Sequence, residues 1–93
     1  MSRKSVHLWI TGKVQRVGYR NWLVDEATAK GLAGWTRNRR DGAVEAVVAG
    51  PAAEVDALIA AAHLGPPAAL VGAVRVTEVP EPAGSGFARE PTV

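Results

Sequence analysis

The sequence of 93 residues has no cysteine and little of several other residues on which functional sites are commonly built: one methionine, one tyrosine, one phenylalanine and two histidines. Without cysteine the chain has no disulfide, no thiol nucleophile and no cysteine-ligated metal. His7 and His63 have no acidic or histidine partner at a spacing typical of catalysis or metal binding, so we interpret both as structural residues.

Long hydrophobic runs are also missing. No apolar stretch approaches the roughly 20 residues that cross a bilayer. The basic start, residues 1–5, leads into an alternating pattern instead of the apolar core of a signal peptide. We therefore expect a cytoplasmic protein that makes no membrane contact. A chain of 93 residues supports one hydrophobic core, which predicts a single domain over residues 1–93.

Charge is unevenly distributed along the chain. Residues 1–53 contain nine Lys and Arg against four Asp and Glu, a net charge of +5, whereas residues 54–93 have two against five, a net charge of −3. A positive field concentrated on one half of a small domain favours anionic ligands at that half.

The first half of the chain has the pattern strand, helix, strand, strand. Apolar and polar residues alternate over 6–11, which predicts a strand ending at Gly12. Helical spacing of apolar residues predicts a helix over 19–30. Segments 32–38 and 44–48 read as two strands of a hairpin, joined by a turn at Asp41-Gly42.

The second half adds a helix and two strands. Residues 50–65 have an early proline, acids near the start and an apolar stripe, as expected of a helix. Residues 70–79 are rich in β-branched residues and predict a fourth strand with a bulge at Gly72. Residues 87–89 form a short final strand at or beside an edge. This order predicts an α+β, ferredoxin-like split βαβ fold (βαββαβ): an antiparallel sheet of four strands plus a short fifth, with two helices on one face.

The segment Gly12-Lys13-Val14-Gln15-Arg16-Val17-Gly18-Tyr19-Arg20 joins the first predicted strand to the first helix. N–H groups at a helix start have no intrahelical partner and carry partial positive charge, so a glycine-bearing turn there can wrap a phosphate. The guanidinium fork of Arg20 matches two phosphate oxygens. The turn lacks the endings typical of nucleotide and dinucleotide loops, which predicts a small ligand.

Asn38 ends the second predicted strand. Asparagine at such a position is usually a turn former. In the split βαβ topology, however, it can lie near residues 14–20, where an amide oxygen can align a water molecule without titrating. Both interpretations remain open on these residues alone. The tryptophans Trp9, Trp22 and Trp35 are expected to pack in the core, because the chain lacks the aromatic run of an RNA-recognition strand.

Two segments together resemble the acylphosphatase family. Gly12–Arg20 matches the signature G-x-V-Q-G-V-x-[aromatic or Met]-R at all fixed positions but one. The second signature begins G-[aromatic]-x-[basic]-N-x-x-x-G-x-V and ends in a glycine. It is met by Gly34-Trp35-Thr36-Arg37-Asn38, Gly42, Val44 and Gly50.

The resemblance implies hydrolysis of the carboxyl-phosphate bond of small acyl phosphates, without metal or cofactor. It further implies that the phosphate is held by Arg20 and by main-chain N–H groups of the preceding turn, while Asn38 orients the attacking water. The substrate-binding residues are then Gln15, Arg16, Val17, Gly18 and Tyr19. The expected partner is a small acyl phosphate and not nucleic acid, and we expect a monomer. Arg16 stands where the family usually has glycine; if that position needs a positive φ, arginine costs on the order of 1–2 kcal/mol.

The alternative is a non-catalytic ferredoxin-like module that binds phosphate-bearing ligands or nucleic acid. Its basis is the cluster of Arg37, Arg39 and Arg40, which also reads as a solvated hairpin turn.

Overall fold

The computed structural model describes residues 2–93 and places two helices against a five-stranded sheet. The elements are β1 (Arg3–Lys13), α1 (Tyr19–Ala29), β2 (Ala33–Asn38), β3 (Val44–Pro51), α2 (Ala52–Ala62), β4 (Leu70–Glu78) and β5 (Phe87–Arg89). The predicted βαββαβ order and the short fifth strand are confirmed, and the fold is ferredoxin-like. Each helix has 11 residues, and within the described chain neither is long and apolar enough to cross a membrane.

The strands lie in the order β4-β1-β3-β2-β5. β1 pairs antiparallel with β3 and β4, and β2 pairs antiparallel with β3, whereas β5 runs parallel to β2. The fifth strand therefore makes the sheet mixed. The bulge predicted at Gly72 is present: Thr11 pairs with Ala73 and Gly12 with Val71, which leaves Gly72 without an opposite residue.

The core lies between the helices and one face of the sheet. Val6, Leu8 and Ile10 of β1 point to this face and are fully buried against Leu23 of α1 and Leu58 of α2. The period of two in β1 and the helical spacing in α1 place these side chains on facing surfaces. The same alternation carries Asn38, two residues after buried Thr36, to the helix face at the end of β2.

Two tryptophans do not lie in the core, contrary to the sequence-based expectation. Trp22 packs against the core, but Trp9 and Trp35 are half-buried on the sheet face opposite the helices. The guanidinium of Arg39 lies 5.2 Å from the ring centre of Trp9, and that of Arg37 lies 4.8 Å from that of Trp35. Each strand alternates its side chains, so the residue beside a core-facing one must point away.

Glu45 is the centre of an ionic cluster on that opposite face. Its carboxylate accepts hydrogen bonds from Arg37 Nε at 2.8 Å and Arg39 Nη1 at 3.2 Å, and His7 Nε2 lies 2.7 Å away. Burial acts to raise the pKa of Glu45, but the hydrogen bonds with His7 and Arg37 outweigh it, so this pKa lies below its ordinary value. The cluster ties β1, β2 and β3 together.

Two residues of the turn between β1 and α1 adopt a left-handed backbone conformation. Gly18, at the N-cap of α1, has φ 79°, and Arg16 has φ 62° and is the one non-glycine residue with positive φ among those described. The condition set out for Arg16 is therefore met: this position does require a positive φ. In β2, Gly34 is required by close approach, because a Cβ there would overlap the main-chain carbonyl of Val47.

Replacing Arg16 by glycine is expected to stabilise the fold. The left-handed conformation destabilises a non-glycine residue by about 1–2 kcal/mol. Glycine removes this strain, but its greater conformational entropy in the unfolded chain offsets part of the gain in folding free energy. We expect the free energy of unfolding in urea to rise by about 0.5–1 kcal/mol. Arg16→Ala is the matched control, because it removes the side chain but keeps the Cβ, and it should give no gain. Equal stability of the two variants would show that the turn is unstrained.

Replacing Glu45 by glutamine is expected to weaken the fold in a pH-dependent manner. Because the pKa of Glu45 is lowered on folding, its contribution is complete above the ordinary value near 4.5 and is lost as the pH falls through the lower folded value. At pH 7 the variant should be less stable by about 1 kcal/mol, and the difference should shrink below pH 4. Glu90→Gln, at an exposed position, is the control. A difference that grows on acidification would contradict this account.

Candidate active site

A cleft of about 210 Å³ opens where the β1–α1 turn meets the end of β2. Asn38 lines it from β2 and Arg89 from β5. The remaining lining residues belong to the turn and to the first turn of α1: Val14, Gln15, Arg16, Gly18, Tyr19, Arg20 and Asn21. The fold thus brings the two segments singled out in the sequence to one place.

Several main-chain N–H groups of the β1–α1 turn have no hydrogen-bond acceptor among the described residues. Within residues 2–93, none of the N–H groups of residues 15–18 donates a hydrogen bond. The N–H of Trp22 makes the first bond of α1, to Gly18 O at 3.0 Å, so the N–H groups of the helix's first turn also precede the intrahelical ladder. Successive unpaired N–H groups at a helix start, with the positive end of the helix dipole, form an anion-binding concavity.

Two arginines of this turn are available to a ligand. Arg20, the second residue of α1, is half-buried, and Arg16 is exposed. Among the described residues neither guanidinium makes a salt bridge or side-chain hydrogen bond. The cleft lining contains arginines but no Asp or Glu, so its formal charge is positive.

Asn38 lines the same cleft and has an unpaired hydrogen-bond acceptor. Its Oδ1 is buried and has no hydrogen-bond partner within the described chain. The main chain around it is firmly held: Asn38 O accepts from Val93 N–H at 3.2 Å, and the next residue, Arg39, donates from its N–H to Ala43 O at 2.8 Å. Buried amide oxygens without a partner are uncommon, which makes this atom a candidate for an interaction with a bound molecule.

The side chain of Gln15 ties the β1–α1 turn to the hairpin turn. Its Nε2 donates to Arg39 O at 2.6 Å and to Ala43 O at 2.9 Å, both in the hairpin turn that follows Asn38. Gln15 therefore couples the position of the β1–α1 turn to that of Asn38. Both N–H donors of its side chain are already used in these two hydrogen bonds. Its main-chain N–H remains available.

Val17 and Tyr19 also serve the turn mainly through packing. The Val17 side chain packs against the core and does not line the cleft. The Tyr19 ring is buried, its hydroxyl donates to Ala62 O in α2 at 2.6 Å, and burial raises the pKa of the phenol. Of the five residues predicted to bind substrate, these two can contribute their main-chain N–H groups.

Arg89 and Asn21 line the cleft but were not singled out from the sequence. Arg89 Nη1 donates to Asn21 Oδ1 at 2.8 Å. An arginine in a short edge strand gives no local signal, and its relation to the cleft depends on β5 running parallel beside β2, with Arg89 paired to Thr36.

The two histidines lie outside the cleft. His7 contacts Glu45 on the opposite sheet face, and His63, at the end of α2, is exposed with Nδ1 2.9 Å from Ile59 O. Within residues 2–93 no three His, Asp or Glu side chains are grouped as a metal site requires.

Comparison with known proteins gives a consistent result. A family model described as acylphosphatase matches residues 6–89. The chain is 49% identical to an acylphosphatase of Rhodospirillum rubrum over 97% of this chain and 99% of that protein, and 52% identical to one of Azoarcus sp. over 91% and 87%.

Solved structures agree with the sequence relatives. The crystal structure of acylphosphatase from Bacillus subtilis is similar with a TM-score of 0.87 and 33% identity, covering 92% of this chain and 97% of that one. An acylphosphatase from Coxiella burnetii gives a TM-score of 0.91 and 31% identity, covering 95% and 93%. The sequence signatures, the fold and these relatives together show that the chain belongs to the acylphosphatase family, enzymes that hydrolyse acyl phosphates.

Proposed function

We propose that the main-chain N–H groups of residues 15–20 and the guanidinium of Arg20, together the phosphate cradle, bind the phosphoryl group of a small acyl phosphate while Asn38 orients the attacking water. The observation that supports this proposal is that Asn38, whose Oδ1 has no hydrogen-bond partner among the described residues, lines the same cleft as the unpaired Arg20. One group accepts hydrogen bonds and the other binds negative charge, which are the two requirements of this reaction.

The phosphate cradle stabilises charge where it develops. Phosphoryl transfer spreads negative charge over the three non-bridging oxygens, so donors fixed before the reaction lower the barrier without reorganising. The N–H groups of residues 15–18 are fixed in this way by the turn, because Gln15 and the buried Tyr19 anchor it on both sides. Arg20 adds two parallel donors and a full positive charge.

Water attack needs an acceptor but no strong base. Asn38 Oδ1 accepts one hydrogen of the water and directs its oxygen at phosphorus in line with the carboxyl oxygen. The phosphorus–oxygen bond to the acyl group then breaks, a carboxylate leaves, and the water's other proton passes to the new phosphate. Because a carboxylate is a good leaving group, positioning and charge stabilisation supply most of the catalysis.

The alternative of a nucleic-acid module has less support. Arg37 and Arg39 are engaged with Glu45 and with the tryptophan rings on the opposite sheet face. We propose a small-molecule substrate, without nucleic acid or cofactor, and a monomeric enzyme.

The direct test is hydrolysis of benzoyl phosphate by the purified protein in excess EDTA. The reaction is monitored by the decrease in the ultraviolet absorbance of the substrate. We expect turnover that the chelator does not diminish. Turnover that requires an added divalent cation would overturn the metal-free mechanism.

Arg20→Lys is expected to lower kcat/KM by roughly 10²–10³-fold, the usual effect of removing a donor to developing charge. Lysine keeps the positive charge but cannot present two parallel N–H groups to one phosphate. Arg40→Lys, on the exposed hairpin turn and outside the cleft, is the matched control and should leave kcat/KM unchanged. Near-normal activity of Arg20→Lys would show that the guanidinium fork is not needed.

Asn38→Ala is expected to lower kcat by roughly 10²-fold or more with little change in KM, because positioning of water matters only in the transition state. Stability should stay within about 0.5 kcal/mol of wild type or increase, since Oδ1 makes no hydrogen bond that would be lost. Steady-state kinetics and urea unfolding measure the two effects. A kcat close to that of wild type would rule Asn38 out as the water-positioning group.

A further inference from the structure

Arg89 reaches the cleft from a strand that neither family signature contains. In the parallel pairing of β5 with β2 it lies opposite Thr36, and Glu90 N–H donates to Thr36 O at 2.8 Å. Thr36 and Asn38 share the helix face of β2, so Arg89 and Asn38 project from the same face of neighbouring strands. This placement explains how a residue near the end of the sequence lines the same cleft as Arg20.

The guanidinium of Arg89 is held but not neutralised. Its Nη1 donates to the amide oxygen of Asn21 at 2.8 Å, and an amide carries no charge. Within residues 2–93 no carboxylate lies within 4.0 Å of it. The remaining N–H donors of this fork are therefore free to bind an anion.

The cleft has more positive charge than a phosphoryl group requires. A phosphoryl dianion is matched by the phosphate cradle, which already contains one guanidinium and several main-chain donors. Arg16 and Arg89 add two further positive charges, and no Asp or Glu lines the cleft. Of these two, Arg89 is fixed by a strand and a hydrogen bond, whereas Arg16 has no side-chain partner among the described residues.

We propose that Arg89 is a specificity-determining residue that binds a carboxylate on the acyl part of the substrate. The preferred substrates are then acyl phosphates with a second anionic group, over those with an uncharged acyl group. This inference rests on the proposed function of the cleft. Its physical basis is a charge-assisted hydrogen bond that an uncharged acyl group cannot make.

The test compares 4-carboxybenzoyl phosphate and 3-carboxybenzoyl phosphate with benzoyl phosphate, which are rigid substrates that differ by one carboxylate. The measured quantity is the ratio of kcat/KM for the better carboxylated substrate to that for benzoyl phosphate. We expect Arg89→Gln to lower this ratio about tenfold, mainly through KM, with partial recovery in Arg89→Lys. The effect should weaken at high ionic strength, since Arg89 is exposed.

Arg75→Gln is the matched control, because it removes the same charge from an exposed position on β4, outside the cleft. It should leave the ratio unchanged. A ratio that is the same in wild type and Arg89→Gln would overturn the inference. The inference would also be overturned if Arg89→Gln lowered kcat/KM equally for both kinds of substrate and weakened inhibition by inorganic phosphate. That result would make Arg89 a phosphate ligand. Either result is separate from failure of the proposed function, which would appear as wild type that does not hydrolyse benzoyl phosphate.

Discussion

The site depends on main-chain N–H groups that the fold leaves without acceptors at the start of α1. Arg16 and Gly18 both adopt left-handed backbone in this turn, a conformation typical of loops whose successive N–H groups bind anions. Such a conformation persists only where its surroundings enforce it. Gln15 supplies that support from the hairpin side and Tyr19 from the helix side. The proposed anion site thus depends on the fold more than on any one side chain.

The sheet then sets the distance between the proposed phosphate cradle and Asn38, the residue proposed to position water. β1, which leads into the cradle, and β2, which ends at Asn38, are both paired with β3, and Gln15 links the two ends directly through Arg39 O and Ala43 O. Catalysis by positioning needs this kind of rigidity, because displacement of a reacting group by about 1 Å can cost on the order of 100-fold in rate. The ionic cluster around Glu45 links the same strands on the opposite face of the sheet.

Local sequence patterns predicted the helices and strands well. The features that they did not predict depend on how the strands pair in the sheet. Alternation over 6–11, the helical spacing of apolar residues over 19–30 and the Asp41-Gly42 turn each depend on neighbouring residues, so β1, α1 and the hairpin were found from the sequence. The expectation that Trp9 and Trp35 pack in the core was wrong, because strand alternation places each beside a buried, core-facing residue and therefore on the opposite face. Arg89 was missed because its role follows from the parallel pairing of β5 with β2, which no local signal contains. The roles proposed for Arg20 and Asn38 were suggested by the chemistry of their side chains and by the family resemblance. The structure adds that, among residues 2–93, neither the Arg20 guanidinium nor Asn38 Oδ1 has a hydrogen-bond partner.

The most direct measurement is an NMR titration of the ¹⁵N-labelled protein with inorganic phosphate, which follows main-chain amide shifts and the Arg20 Nε resonance. If the phosphate cradle is the anion site, the largest saturable changes fall on the amides of residues 15–20 and on Arg20. Asn38 should respond through its side-chain amide. Changes centred on the hairpin arginines 37–40, with the amides of residues 15–20 unaffected, would contradict the account.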